Sequence, residues 1–252
     1  MNDKLLGDVS IFSSFPGLLE NRNVPYFTSR RSCGNMSYIY GDTADSLANR
    51  RNFLEPAGLN YQDLICAKQT HSNNVFFAGK NDLGKGALSY DSSVDNTDAF
   101  ITNLIEVPLA IFTADCLPVF LYDFKNKAIG LVHASWRSSQ VNITAKTVRS
   151  MRDKFATTPS DLRVYFGPAI RSCCFQVGGE FNDIFPGQLI VRANINYLDL
   201  AGVNRKQLLD CGVKDKNISD SGLCTYCNEN DFFSFRREGE SCGRMMSVMM
   251  LR

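Results

Sequence analysis

Histidine is almost missing from this chain: its 252 residues include only His71 and His133, along with a single tryptophan, Trp136. Long hydrophobic runs are missing as well. No segment approaches the roughly 18 apolar residues needed to span a bilayer, and the start MNDKLLGDVSIFSSF lacks the basic opening and unbroken apolar stretch of a secretion signal. These absences predict no membrane partner and a cytoplasmic location. Neither sign of charge is in excess: 27 Lys and Arg stand against 26 Asp and Glu, with no long run of either. The electrostatic footprint demanded by a nucleic-acid backbone is therefore lacking, and no nucleic-acid partner is expected. Repeats, low-complexity tracts and Pro/Ser/Gly linkers are absent too, which predicts one domain over residues 1–252.

What is present suits an ordinary globular fold. Apolar residues make up 44% of the chain and aromatics 11%, ample for a core. The nine cysteines are an odd set, scattered through a chain long enough not to need staples, so reduced and mostly buried thiols are expected. Short β-rich runs, AFIT at 99–102, PLAIF at 108–112, PVFLYD at 118–123 and AIGLVHA at 128–134, predict neighbouring strands of one sheet. LRVYFG at 162–167 and MMSVMML at 245–251 add two more. Apolar positions spaced by three and four predict an amphipathic helix over 141–155. Further helices are expected over 199–211, with Asp199 as cap and Gly212 as stop, and over 42–55 ahead of Pro56. The fold class implied is α+β: a mixed β-sheet core with flanking helices.

The two histidines each fall near a predicted strand end, His71 in AKQTHSNNV and His133 in GLVHASWRSS. Between them Cys116 occupies the turn TADCLPV. Two imidazoles and a thiolate suit Zn²⁺, and three protein ligands leave a fourth position open, as catalytic sites do. Copper would also be accepted. The separations of 45 and 17 residues carry no compact ligand spacing, so a metal-free pair, with Cys116 as nucleophile and His133 as its base, stays open at this point.

Ordered motifs extend the reading. KQTH at 68–71, TDAFITN, TADCLPV, HASWRSS, GPAIRSCCFQVG, LDLAGVNRKQLLDCGV and the close CTYCNENDFFSFRREGESCGRMMSVMML run almost the whole chain. Together they resemble the laccase-domain or YfiH-like family, formerly called polyphenol oxidases and associated with purine nucleoside phosphorylase activity. The resemblance implies that His71, Cys116 and His133 ligate a catalytic zinc. It implies a YfiH-like fold and phosphorolysis of adenosine, inosine, guanosine or methylthioadenosine, with deamination of adenosine in the same pocket. Purine nucleoside and phosphate are then the small-molecule partners.

Those reactions suggest roles for further residues. Arg137, with Ser138 and Ser139, precedes the helix expected near Val141 and is the first choice for phosphate. Arg30 or Arg31, in FTSRRSCG, could supply a second guanidinium. Lys68 and Gln69 could orient substrate. Asp115 could serve as acid/base, orient an imidazole, or simply close an Asx-type turn. Three departures stand out: Ser135 and Ser138 replace the glycines of the family's HAGWRG, and Gln176 replaces a common Glu. A glycine lost from a strained backbone position would reshape the pocket. Cys224 and Cys227 form a CxxC that could join Cys211 and Cys242 in a zinc knot, but the irregular spacing favours buried thiols. Competing functions are copper-dependent phenol oxidation, hydrolysis of an amide in peptidoglycan precursors, and a non-enzymatic binding module.

Overall fold

The computed structural model describes residues 24–252; the amino-terminal stretch considered for a secretion signal lies outside them. Strands follow in chain order as β1 (Tyr26–Thr28), β2 (Val75–Phe77), β3 (Ala99–Thr102), β4 (Leu109–Thr113), β5 (Leu117–Asp123) and β6 (Ala128–Ala134). They continue as β7 (Arg163–Phe166), β8 (Gln176–Val177), β9 (Leu189–Arg192), β10 (Ile195–Leu198), β11 (Ile218–Asp220) and β12 (Met245–Met249). The helices are α1 (Thr43–Leu54), α2 (Trp136–Gln140), α3 (Ile143–Phe155), α4 (Phe181–Ile184), α5 (Leu200–Asp210) and α6 (Phe235–Glu238).

A six-stranded sheet in the order β11–β7–β5–β6–β3–β2 is mixed: its two edge pairs are parallel and the inner pairs antiparallel. Side chains alternate across its pleat. Val119, Leu121, Val132 and Ile101 face α3 and α5, while Phe120, Tyr122, Ile129, Leu131 and Phe100 face the other way. Both faces are buried, which is why these strands read as near-continuous apolar runs. Gly130 lets α3 approach, since a Cβ there would lie 3.1 Å from the Met151 sulfur.

The second face packs on a three-stranded antiparallel sheet, β1–β12–β4, through Leu109, Ile111 and Met249. That sheet's far side, with Ala110, Met246 and Val248, is covered by Phe53 and Leu54 of α1. The layers therefore run α3/α5, six-stranded sheet, three-stranded sheet, α1. The strand expected at 108–112 forms, but it leaves the central sheet for this second one because β12 pairs with it in full register. A small third sheet, β8–β10–β9, completes the α+β class.

Two helices start where expected. Asp42 caps α1 by accepting from the Ala44 N–H, and Asp199 caps α5 by accepting from the Gly202 N–H at 2.9 Å. The helix expected over 141–155 forms as a single element, α3, starting two residues late: Asn142 adopts φ 60°, so α3 begins at Ile143, and a separate short helix, α2, precedes it. The Asn204 and Gln207 pair of α5 holds that junction. Asn204 accepts from the Thr144 hydroxyl at 2.6 Å and donates to the Ser139 hydroxyl at 2.9 Å, and Gln207 donates to the Ser139 carbonyl at 2.7 Å. Asn204→Ala is expected to cost about 1–3 kcal/mol by leaving these buried groups unpaired, measured by urea denaturation. A change within about 0.5 kcal/mol, the range of ordinary surface substitutions, would contradict the assigned link.

Candidate metal centre

The central sheet brings its chemistry to one end. His133 is the penultimate residue of β6, Cys116 directly precedes β5, and the loop carrying His71 leads into β2. Pairing of β5 with β6 sets Pro118 opposite His133 and so seats Cys116 beside it. The donor atoms of His71, Cys116 and His133 all lie within 4.8 Å of one another. The two imidazole rings meet edge to face, with centroids 5.1 Å apart. His133 is buried, Cys116 half-buried and His71 exposed.

Asp98, directly ahead of β3, organises the cluster. One carboxylate oxygen lies 2.8 Å from His133 Nδ1 and accepts from the His71 backbone N–H at 3.0 Å. The other accepts from the Ser72 N–H at 2.7 Å and the Ser72 hydroxyl at 2.8 Å. An ionised carboxylate can only accept, so His133 Nδ1 carries the proton and Nε2 is left for a metal. Asp98 also holds His71 at φ 61°, a conformation unusual for a non-glycine residue. Asp98 is not among the candidate residues that the sequence offers; its one signal is a lone Asp at the mouth of the buried strand in TDAFITN.

Charges reinforce the geometry. Burial would raise the Asp98 carboxyl, but the hydrogen bonds and charge of His133 and the Ser72 donors hold it down at about 2. Burial likewise acts against a charged Cys116, yet both imidazoles bring the thiol down to about 6. His133 is pushed up to about 9, since Cys116 and Asp98 outweigh its burial. The metal-free cluster at neutral pH is thus a thiolate–imidazolium pair. As a donor set, one thiolate and two imidazoles with an open fourth direction fit a tetrahedral zinc or a copper ion.

These donors line a cavity of about 700 Å³, within the usual range for small-molecule sites. Tyr38, Tyr40, Phe112, Trp136, Phe175 and Phe235 furnish aromatic walls, and Arg50, Arg137, Arg236 and Arg244 bring four guanidinium groups against the carboxylates of Asp115 and Glu240. Arg50 was not foreseen. It shares a helix face with Phe53 and Leu54, is 1% exposed, and donates to the carbonyls of Met36, Gly86 and Ala87 while lying over the Tyr38 ring at 3.7 Å.

The structure departs from several expectations. Asp115 lines the cavity, but its carboxylate accepts from the Thr225 hydroxyl at 2.6 Å and the Arg236 N–H at 2.7 Å; the imidazole-orienting carboxylate is Asp98. Gln69 also lines it, with both ends of its amide engaged by the Phe112 backbone at 2.7 and 2.8 Å. Lys68 lies outside, paired with Asp95 at 2.8 Å, and Arg30 likewise with Asp231 at 2.9 Å. Arg31 pairs with Glu238 instead of entering the cavity. Arg137 does reach the cavity and precedes the 13-residue α3 as expected, but Ser138 and Ser139 are buried inside the intervening five-residue α2. Ser135 and Ser138 cap that helix reciprocally, at 3.0 and 2.8 Å, and neither has positive φ, so the two serines strain no glycine conformation. Gln176 stands outside the lining, its carbonyl accepting from Arg236 at 2.8 Å.

Fold and centre together define a class: mixed α/β proteins that set a His/Cys donor group at the end of a central sheet, facing a cavity of small-molecule size. Residues 21–252 match the family described as multi-copper polyphenol oxidoreductase laccase, and the chain belongs to that family. Among its relatives, purine nucleoside phosphorylase YlmD of Bacillus subtilis (strain 168) is 33% identical over 223 residues, 85% of this chain and 80% of that protein. Adenosine deaminase RL5, from an unknown prokaryotic organism, is 28% identical, covering 96% of this chain and 93% of its own. The crystal structure of YlmD from Geobacillus stearothermophilus superposes with a TM-score of 0.90 at 29% identity, spanning 96% and 99% of the two chains.

The charge state of the cluster makes a prediction. Binding zinc between pH 6 and 9 displaces the His133 proton while Cys116 is already a thiolate, so about one proton should be released per ion and affinity should rise with pH over that window. Calorimetry in buffers of different ionisation enthalpy measures both; an affinity independent of pH there would contradict the thiolate–imidazolium assignment.

Proposed function

We propose that this chain is a zinc-dependent purine nucleoside phosphorylase, converting adenosine, inosine, guanosine or methylthioadenosine to free base and ribose 1-phosphate, with adenosine deamination in the same cavity. The observation that carries the reading is the junction of the His71, Cys116 and His133 donors with a cavity that is aromatic and rich in arginine. The activities named for YlmD and RL5 agree with it. Residues 1–252 are read as one catalytic domain working in the cytoplasm.

His71, Cys116 and His133 would hold the zinc. Bound there, zinc supplies a Lewis acid and a water activated near neutral pH. Asp98 keeps the proton on His133 Nδ1 and fixes that ring's direction. Arg137 is the leading phosphate ligand. Its guanidinium stacks on Trp136, 4.5 Å from the ring, and has no carboxylate partner among the described residues, so it is held at the cavity and free to pair with an anion. The buried Arg50 adds positive potential to the wall without competing for the same place. Aromatic faces suit a purine, which binds by stacking and by edge hydrogen bonds. Asp115 is read as a positioning residue that ties α6 to the cavity rather than as the proton carrier.

The purified protein, incubated with adenosine or inosine with and without inorganic phosphate, should yield base and ribose 1-phosphate only when phosphate is present, as followed by chromatography. Phenol oxidation that scales with copper loading, or cleavage of a peptidoglycan-precursor amide without nucleoside turnover, would overturn the reading. His71→Ala, Cys116→Ala and His133→Ala should each remove both activity and the bound ion while the fold persists. Arg137→Ala should raise KM for phosphate at least about tenfold, the loss of one charged hydrogen-bonding partner, with a smaller change for nucleoside. An unchanged phosphate KM would exclude Arg137 from the anion site.

A further inference from the structure

Outside the cavity, the fold gathers a second set of metal-binding donors. The sulfurs of Cys173, Cys174, Cys224 and Cys227 all lie within 4.8 Å of one another. They come from two segments, a turn ahead of β8 and the CxxC that follows β11, joined by the bridge between Ala169 and Cys224. The knot conceived from sequence used Cys211 and Cys242 in place of the adjacent pair. Those two are elsewhere: Cys211 ends α5 against the Ala145 carbonyl, and Cys242 is buried beside Arg244. Nor are all the clustered thiols buried, because Cys173 and Cys227 are exposed. A packing role does not account for them.

We propose that Cys173, Cys174, Cys224 and Cys227 form a second, structural zinc site that clamps two cavity-wall segments together. Four sulfurs at 2.3 Å from a zinc ion stand about 3.8 Å apart along the edges of a tetrahedron. Cys227 lies 3.7 Å from Cys173 and 3.3 Å from Cys174, so only small side-chain adjustments separate the cluster from that figure. An all-thiolate, four-ligand set is the closed arrangement of structural zinc, unlike the open three-ligand set at His71. Arg192 donates to the Ser172 carbonyl, bringing a cation to the loop. Positive charge of this kind stabilises metal-bound thiolates. Loading the site displaces the thiol protons to solvent and needs no oxidant.

The clamp has a place to act. Ile170 and Phe175 flank the adjacent cysteines and line the cavity, while Thr225, inside the CxxC, donates to Asp115. Asp115 in turn accepts from the α6 backbone and precedes Cys116. Zinc at the four cysteines would therefore brace one wall of the catalytic cavity without touching substrate. The inference does not rest on the proposed activity.

The test is zinc stoichiometry by mass spectrometry on protein purified anaerobically without chelator. Wild type should carry one more zinc per chain than Cys224→Ser/Cys227→Ser, and that variant should melt at lower temperature yet keep the ion held by His71. His71→Ala/His133→Ala should lose the other equivalent and keep the thiolate-bound one. Cobalt substitution should give strong thiolate charge-transfer absorption in the histidine variant and much weaker absorption in the cysteine variant. Equal metal content in wild type and the cysteine variant would overturn the site. So would an intact mass two hydrogens lighter, fixed by peptide mapping to a disulfide among these cysteines in freshly isolated protein.

Discussion

The buried carboxylate of Asp98 is the interaction on which the candidate centre depends. A charge with 0% side-chain exposure would be costly if unpaired, and here it is matched by the His133 ring and by donors from residues 70–72. The same bonds impose geometry. They fix the tautomer of one imidazole and pin the loop that presents the other, although that loop is exposed and turns through a left-handed residue. Without the carboxylate, the backbone N–H groups of His71 and Ser72 would lose their acceptor and the His133 ring its Nδ1 partner. The centre is tied to the sheet, because Asp98 directly precedes β3 and its carbonyl accepts from the His133 N–H at 2.8 Å beside the Ala99 to Val132 pairing.

The cavity arises from the way the layers meet. Phe112 and Thr113 end β4 in the smaller sheet, Arg50 comes from the helix behind it, and the metal donors come from the larger sheet. Neither sheet alone encloses the cavity. Its electrostatics follow from unequal pairing: Arg50 is satisfied by carbonyls, Arg137 by an aromatic face, and Asp115 is consumed by Thr225 and Arg236. Positive charge is left over, which suits an anion. The departures at Ser135 and Ser138 leave this arrangement intact, since the two hydroxyls cap α2 and sit at ordinary backbone angles.

Much of the fold could be read from the chain, with identifiable exceptions. The expected strands at 99–102 and 128–134 coincide with those observed, and Asp199 caps its helix as the sequence indicated. The two-residue delay in the start of α3 was hidden because the apolar spacing begins at Val141; only the tertiary bonds from Asn204 and Gln207 show why the chain turns at Asn142. The placement of the 109–113 strand was equally hidden, since β-propensity does not name a partner. Arginines were the least legible residues. Arg30 and Lys68 meet nearby carboxylates, whereas Arg50, unnoticed in a helix, is buried in the cavity wall.

The sequence by itself determined which atoms are available: two histidines, nine thiols, balanced charge and an ordered run of motifs that assign a family. It could nominate His71, Cys116 and His133 because histidine is scarce and each residue falls at a predicted strand end or turn. Tertiary structure alone decided which donors converge. Strand pairing set Cys116 beside His133, Asp98 drew in His71, and the bridge between residues 169 and 224 brought Cys173 and Cys174 to Cys224 and Cys227. The physical reason is that ligation and charge pairing act over a few ångströms of space, while separations of tens of residues along the chain are closed only by strand register and packing.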